Sequence, residues 1–253
     1  MPRPKFWFYP WRGGGAQALA LAEALDGRVI KRINSAYSYK PGDIIVNWGN
    51  HVAPQNLIGV PVLNRFDRVG HGKRENWKTL AEAGIKVPTW TTDRETAKGW
   101  NCRIVARDTD HGMGGQGVTV YQSGSEVGQH RYYTKYVKKE REFRFHVFQG
   151  RIIFVQEKLR KKDAENVDRY VRSHARGWCF AFKHLVEFPP AAGGGEVAIA
   201  SVSVLGLDFG AVDCGWSARS GFTVFEVNSA PGIENTSLQS YVDTLKGLNH
   251  VYS

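Results

Sequence analysis

Two hydrophobic periods alternate along this chain. "KFWFYPW" (residues 5–11) is a short run of large apolar residues and reads as a buried strand. After a turn at "RGGG", "AQALALAEALDG" (16–27) carries apolar residues at helical spacing and a stop at Gly27. "RVIKRI" and "DIIVNWG" read as the next two strands. Strand, glycine turn, helix, strand is the opening of an α/β lobe with a parallel sheet. Residues 61–90 read as a strand end, a loop, a helix and a strand entered at Pro88. "CRIVARDTDHGMGGQGVTVYQ" (102–122) reads as two strands around a glycine-rich loop. Period-two alternation predicts strands over Tyr132–Val137, Glu142–Phe148 and Arg151–Leu159, with Gly150 turning the last two into a hairpin. "PPAAGGG" (189–195) predicts a short flexible loop, and "EVAIASVSVLGLD" a helix ending near Gly206. "FGAVDCGW" and "GFTVFEVNSA" form a closing strand pair, and "SLQSYVDTLKGL" a last helix.

Composition narrows the class. With 253 residues, 42% hydrophobic and 12% aromatic, the chain can bury a sizeable core and is not a disordered polymer. Its formal charge of +10 favours anionic partners, among them nucleotides, nucleic acid and acidic peptides, although solvation by surface lysines would give the same figure. Cys102, Cys179 and Cys214 are far apart and form no CxxC pair, so neither a disulfide framework nor a zinc site is indicated. No apolar run has the length of a signal peptide or a membrane span. The expectation is a soluble, cytoplasmic protein.

The chemistry concentrates near the end. In "GFTVFEVNSAPG" (221–232), Glu226 and Asn228 interrupt a hydrophobic strand and face the same side, two residues apart. Asp213 ends the run "LDFGAVD" on the preceding strand, which an antiparallel pairing brings alongside. Three oxygen donors on one rigid surface suit a hard divalent ion, above all magnesium, with manganese as the alternative. A glycine loop, Gly112, Gly114, Gly115 and Gly117, can offer backbone N–H groups to phosphate oxygens, or serve only as a hairpin. Gly13–Gly15 leave the same two readings open, a phosphate cradle or a tight turn. Arg107 precedes the longer loop, and Lys73, Arg144, Lys158 and Arg172 are further cations in or beside predicted elements.

The succession "GKRENWKTLAEAGIKVP", "RIVARDTDHGMGGQGV", "YVKKEREFRFHVFQGRIIF", "VRSHARG", "GLDFGAVD" and "VFEVNSAPG" resembles the ATP-grasp superfamily. Within it, the chain is similar to the bacterial ligases that add glutamate to the C-terminus of a ribosomal protein. The resemblance runs from about residue 61 to 240. It implies an α/β fold with two α+β lobes holding ATP behind a small N-terminal α/β lobe. The implied boundaries are 1–65, 66–133 and 134–253. It implies ATP and magnesium as cofactors and an amide-forming reaction through an acylphosphate. By position, Asp213, Glu226 and Asn228 would bind the metal. Lys73 stands for the first ATP-binding lysine, and Arg107 replaces the second, with a different reach. Gly112–Gly117 would cover the phosphates, Lys135, Tyr136 and Val137 would read adenine through their backbone, and Glu142 would lie near the ribose. His174 falls where the family has an asparagine in its "RSN" run. Arg172, Lys158 and Arg144 are the catalytic candidates, with Arg172 placed to stabilise developing charge.

Two other functions fit the same residues. One is a kinase on this fold acting on a polyanionic small molecule. The other is a non-catalytic nucleotide- or nucleic-acid-binding module, suggested by the interleaved aromatic and basic residues of "HRYYTKYVKKEREFRF". The cations of residues 158–176 predict an anionic acceptor: an acidic peptide tail or a polycarboxylate, with nucleic acid as the less favoured alternative.

Overall fold

The computed structural model describes residues 5–110, 115–181 and 190–248, with side chains in the last segment from residue 193 onward. Three sheets carry the fold. The first is built from β1 (Phe6–Pro10), β2 (Arg28–Val29), β3 (Ile44–Trp48) and β4 (Val62–Leu63), parallel, in the order β2-β1-β3-β4. Helix α1 (Gly15–Ala24) makes the crossover from β1 to β2. The "RVIKRI" strand is shorter than its sequence suggests, because pairing with β1 ends at the Ile30 N–H, which donates to the Phe8 carbonyl at 2.8 Å. Of the three glycines, Gly13 and Gly14 serve a tight turn and Gly15 opens α1. A Cβ on Gly13 or Gly14 would lie 2.3 or 2.7 Å from the Trp11 ring, so both are needed for the chain to wrap that indole.

The second sheet is antiparallel, in the order β5-β8-β6-β7: β5 (Trp90–Thr91), β6 (Ile104–Arg107), β7 (Val118–Tyr121) and β8 (Tyr132–Lys135). Short helix α3 (Arg94–Lys98) covers one face, and its N-terminus is capped by the Asp93 carboxylate, which accepts from the Glu95 and Thr96 N–H groups.

The third sheet is larger and antiparallel, in the order β11-β10-β9-β12-β13: β9 (Arg141–Phe148), β10 (Arg151–Arg160), β11 (Trp178–Ala181), β12 (Phe209–Ser217) and β13 (Gly221–Asn228). Its alternation divides labour between two faces. Phe143, Phe145, Val147, Val212, Cys214 and Val224 point to one side and are buried with Ala198 and Val202 of α4 (Pro190–Val204). Each buried Phe there contributes about 1.5–3 kcal/mol. Leu80 of α2 (Lys73–Glu82) joins the same core, and Trp77 Nε1 donates to the Phe225 carbonyl at 3.0 Å, fastening α2 to β13.

Where the sequence predicts a flexible loop over 189–195, the described part is helical: α4 begins at Pro190. One of its glycines serves packing. A Cβ on Gly194 would lie 2.4 Å from Phe145 and 2.6 Å from Phe222, so only glycine lets this turn of helix settle on the aromatic face. A last helix, α5 (Asn235–Leu248), closes the molecule. Tyr241, Leu245 and Leu248 share one core with Phe6, Phe8 and Trp48 of the first sheet and Phe148 and Phe209 of the third.

Candidate active site

The polar face of the third sheet carries a rung of side chains that crosses four strands. Gln156 on β10 pairs with Arg144 on β9, Arg144 with Asp213 on β12, and Asp213 with Glu226 on β13. Antiparallel register thus sets the two carboxylates side by side. The Arg144 guanidinium donates twice to Asp213, from Nε at 2.7 Å and Nη2 at 2.8 Å. Burial works against the Asp213 charge, yet Arg144, with Lys158 and Lys73 beyond it, holds the carboxyl below its usual range. Glu226 is matched by Lys73 Nζ at 2.9 Å, from the first turn of α2.

A bulge between Asp213 and Cys214 adds one residue to β13. Strict alternation would turn Phe225 away from Glu226. The bulge lets both line one cleft, and Gly215 opposite makes room, since a Cβ there would lie 2.4 Å from the Phe225 ring.

That cleft, about 180 Å³, lies between the second and third sheets. Pro88, Val105, Val118, Tyr136, Val137 and Phe225 give it apolar walls suited to a planar base. Lys135, Tyr136 and Val137 form its hinge side, where β8 gives way to the connection to β9. Lys73, Arg107, Lys135, Lys139, Lys158 and Arg172 face Glu142, Asp213 and Glu226 across it, so cations outnumber carboxylates. Arg107 has no carboxylate within hydrogen-bond reach among the described residues. It donates to the Thr134 hydroxyl at 3.2 Å and lies near the Trp77 and Tyr132 rings, and burial pushes its pKa down. A largely shielded guanidinium of this kind needs an anion. Arg172 donates weakly to the Lys139 and Glu140 carbonyls, at 3.4 Å each, and stacks 4.6 Å from the Trp178 ring. Its Nε and the Ser173 hydroxyl are buried with no hydrogen-bond partner among the described residues, and both residues line this wall of the cleft.

Sequence reasoning brings most of its candidates to this place. Lys73, Arg107, Gly115, Lys135, Tyr136, Val137, Glu142, Lys158, Arg172, Asp213 and Glu226 all line the cleft. Four others lie elsewhere. Arg144 lies beneath Asp213 and off the cleft wall, so it positions that carboxylate. Gly117 is off the wall in a left-handed turn (φ +62°) beside Asp108. His174 is exposed in a turn, where its carbonyl and Nδ1 hold Lys161 Nζ at 2.9 and 3.2 Å. Gly177 in the left-handed conformation ends that turn and directs His174 outward. Asn228 lines an adjoining cavity, with Glu226 and Lys73 on the boundary between the two. Gly112 and Gly114 lie outside the described residues. Glu142 is buried between two lysines, Lys158 and Lys139, the second at 3.5 Å.

Lys139 is the residue that sequence reasoning missed. Burial pushes its pKa down against the pull of Glu142, and it sits 5.0 Å from the Phe225 ring. Only its place three residues before Glu142, on the irregular approach to β9, signalled it. Among the described residues no group of three or more His, Cys, Asp or Glu side chains is arranged to hold a metal. The third oxygen donor of the expected set is an amide: Asn228 stands two residues from Glu226, and its Nδ2 is buried without a partner among the described residues. Two carboxylates and an amide oxygen are the hard donors that magnesium prefers.

No family model and no curated protein sequence matches the chain. Solved structures do. D-alanine–D-alanine ligase from Bacillus anthracis superposes with a TM-score of 0.68 at 15% identity, over 97% of this chain and 93% of that one. The ATP-grasp ligase PsnB, complexed with a variant of its minimal precursor, Mg and ADP, gives 0.65 at 10% identity, over 98% and 99%. N5-carboxyaminoimidazole synthase from Aspergillus clavatus, in complex with ADP and its ribonucleotide, gives 0.59 at 12%, over 90% and 70%. The chain has the ATP-grasp fold.

Proposed function

We propose that this protein is an ATP-dependent carboxylate–amine ligase. One observation carries the reading: a cleft with apolar walls for a base holds an excess of cations, two adjacent carboxylates and unpartnered donors on Arg172 and Ser173. Structural neighbours that bind ADP, magnesium and a peptide precursor or a small-molecule substrate support the same reading.

In this proposal Tyr136 and Val137 hold adenine, while Lys73, Arg107 and the loop ending at Gly115 and Gln116 hold the phosphates. Asp213, Glu226 and Asn228 would hold magnesium or manganese. When bound, the ion neutralises phosphate charge and orients the oxygens of the triphosphate. Lys73, paired with Glu226 at 2.9 Å, would add its charge to the phosphate site. A substrate carboxylate oxygen attacks the γ-phosphorus, and ADP leaves with the bridging electron pair. An amine nitrogen then attacks the acyl carbon, inorganic phosphate departs, and the amine loses a proton to solvent. Neither step needs a protein nucleophile. The chain supplies position and charge, with Arg172 stabilising the negative charge that develops at the transferred phosphoryl group.

The test is a product assay with ATP, magnesium, pooled amino acids and candidate carboxylate acceptors. Equal release of ADP and phosphate with a new amide mass supports the ligase. Phosphate retained on a hydroxyl of the acceptor would make the protein a kinase, and nucleotide binding without turnover would leave it a binding module.

A further inference from the structure

A second cavity, about 600 Å³, opens on the far side of Lys73 and Glu226. Its floor is the carboxyl edge of the first sheet. Trp11 and Arg12 follow β1, Arg32 follows β2, and Gly49, Asn50 and His51 follow β3. The strand order β2-β1-β3-β4 reverses direction between β1 and β3, because the chain leaves β1 towards β2 on one side and returns to β3 on the other. Open parallel sheets bind ligands in the crevice at such a reversal, outside the carboxyl ends of the strands. Asn50 fixes the crevice by donating to the Pro10 carbonyl at 3.4 Å and accepting from the Val52 N–H at 3.2 Å.

The charge of this cavity is one-sided. Its two carboxylates are already matched: Glu226 by Lys73 at 2.9 Å, and Asp110 by Arg74 at 2.7 Å and Arg131 at 2.9 Å. Arg12 and Arg32 have no carboxylate partner among the described residues. The basic segment 158–176 is different, because several of its cations already have partners within the segment. Arg176 pairs with Asp168 at 2.6 Å, Arg160 donates to the Ala164 carbonyl at 3.3 Å, and Lys161 to the His174 carbonyl.

We infer that this cavity binds the carboxyl-donor substrate and that the substrate is a dicarboxylate. One carboxylate lies by Glu226, Asn228 and Lys73, where phosphoryl transfer takes place, and the second is held by Arg12 and Arg32. The inference rests on the ligase reading for the role of the first carboxylate and on the cavity alone for the second. A free dicarboxylate and the C-terminal end of an acidic peptide present the same chemistry.

Trp11 and Trp77 line the cavity, so their indole N–H resonances report its occupancy. The full chain is titrated with glutarate, with an N-acetylated Glu-Glu dipeptide and with butyrate at constant ionic strength, with and without a non-hydrolysable ATP analogue and magnesium. Glutarate or the dipeptide should shift the Trp11 and Trp77 signals saturably and at least about tenfold more tightly than butyrate, as expected for hydrogen bonds to a charged group. The tighter of the two names the source. Arg12→Glu and Arg32→Glu should each abolish that preference while leaving ATP-analogue affinity unchanged. Equal binding of butyrate, no saturable shift with either dicarboxylate, or an undiminished preference in both variants overturns the inference. Failure of the ATP analogue to bind would overturn the ligase reading separately, because the titration without nucleotide still tests the cavity.

Discussion

Arg144 and Asp213 separate folding from chemistry in a way a double substitution can resolve. Their side chains are 16% and 10% exposed, and the guanidinium makes two charged hydrogen bonds to the carboxylate, at 2.7 and 2.8 Å. Each such bond is worth about 1.5–3 kcal/mol, and stranding one member of a buried pair costs about 3–5 kcal/mol, because the remaining charge stays desolvated and unmatched. Arg144→Met and Asp213→Leu should therefore each lower stability by about 3–5 kcal/mol. Replacing both removes the stranded charge, so the double variant should recover most of that loss. Turnover should not recover with it, because the proposed metal site then lacks a ligand. Urea denaturation at pH 7 measures the first effect, and ADP and phosphate release at saturating ATP measures the second. A double variant no more stable than its single parents, or one that recovers both stability and turnover, would refute the reasoning.

Three further outcomes are expected. Glu226→Gln keeps the shape of the site but removes one proposed ligand charge; turnover should fall about 100- to 1000-fold, a loss typical of removing one electrostatic contact to a transition state, with the urea midpoint nearly unchanged. Gly115→Val places a branched side chain at φ +85°, with its Cβ 3.2 Å from Ser173 Oγ and Val171 Cγ1, so it should raise the KM for ATP and destabilise the protein by about 1–3 kcal/mol; a wild-type KM would remove this loop from the phosphate site. Burial lowers the His146 pKa from 6.5 to about 4, so the unfolded chain binds a proton between those values that the folded chain does not. Stability from this group is complete above about pH 6.5 and declines as pH falls towards 4, by about 3 kcal/mol in total; His146→Gln should flatten the urea midpoint between pH 5 and 7 relative to wild type, and an unchanged slope would contradict the assignment.

Much of the cleft was legible because strand periodicity and antiparallel pairing are local rules. Glu226 and Asn228 two apart, with Asp213 on the neighbouring strand, specify which residues can face one another before any coordinate is known. What the pattern misses is what a bulge or a distant contact decides. Phe225 reaches the cleft only because β13 carries an extra residue, which the run "TVFEVN" does not announce. The glycines of α4 read as a flexible loop because helix propensity counts their entropy and cannot count the Phe145 and Phe222 rings that Gly194 rests on. Arg12 follows β1 and Arg32 lies past the short β2 in a run that reads as strand, and only the strand order of the first sheet brings them to one cavity. His174 follows Arg172 closely in sequence, yet the turn at Gly177 sends it to solvent.

The core shared by the first sheet and α5 joins the two ends of the chain, and this has a consequence during synthesis. Phe8 and Trp48 are made early, but Tyr241, Leu245 and Leu248, which cover them, are among the last described residues to leave the ribosome. At about 5–20 residues per second, the sheet waits roughly 10–40 s with an aromatic face uncovered. Nascent-chain folding should therefore be concerted and late, and chains arrested before α5 should be bound by chaperones that recognise exposed aromatic surface.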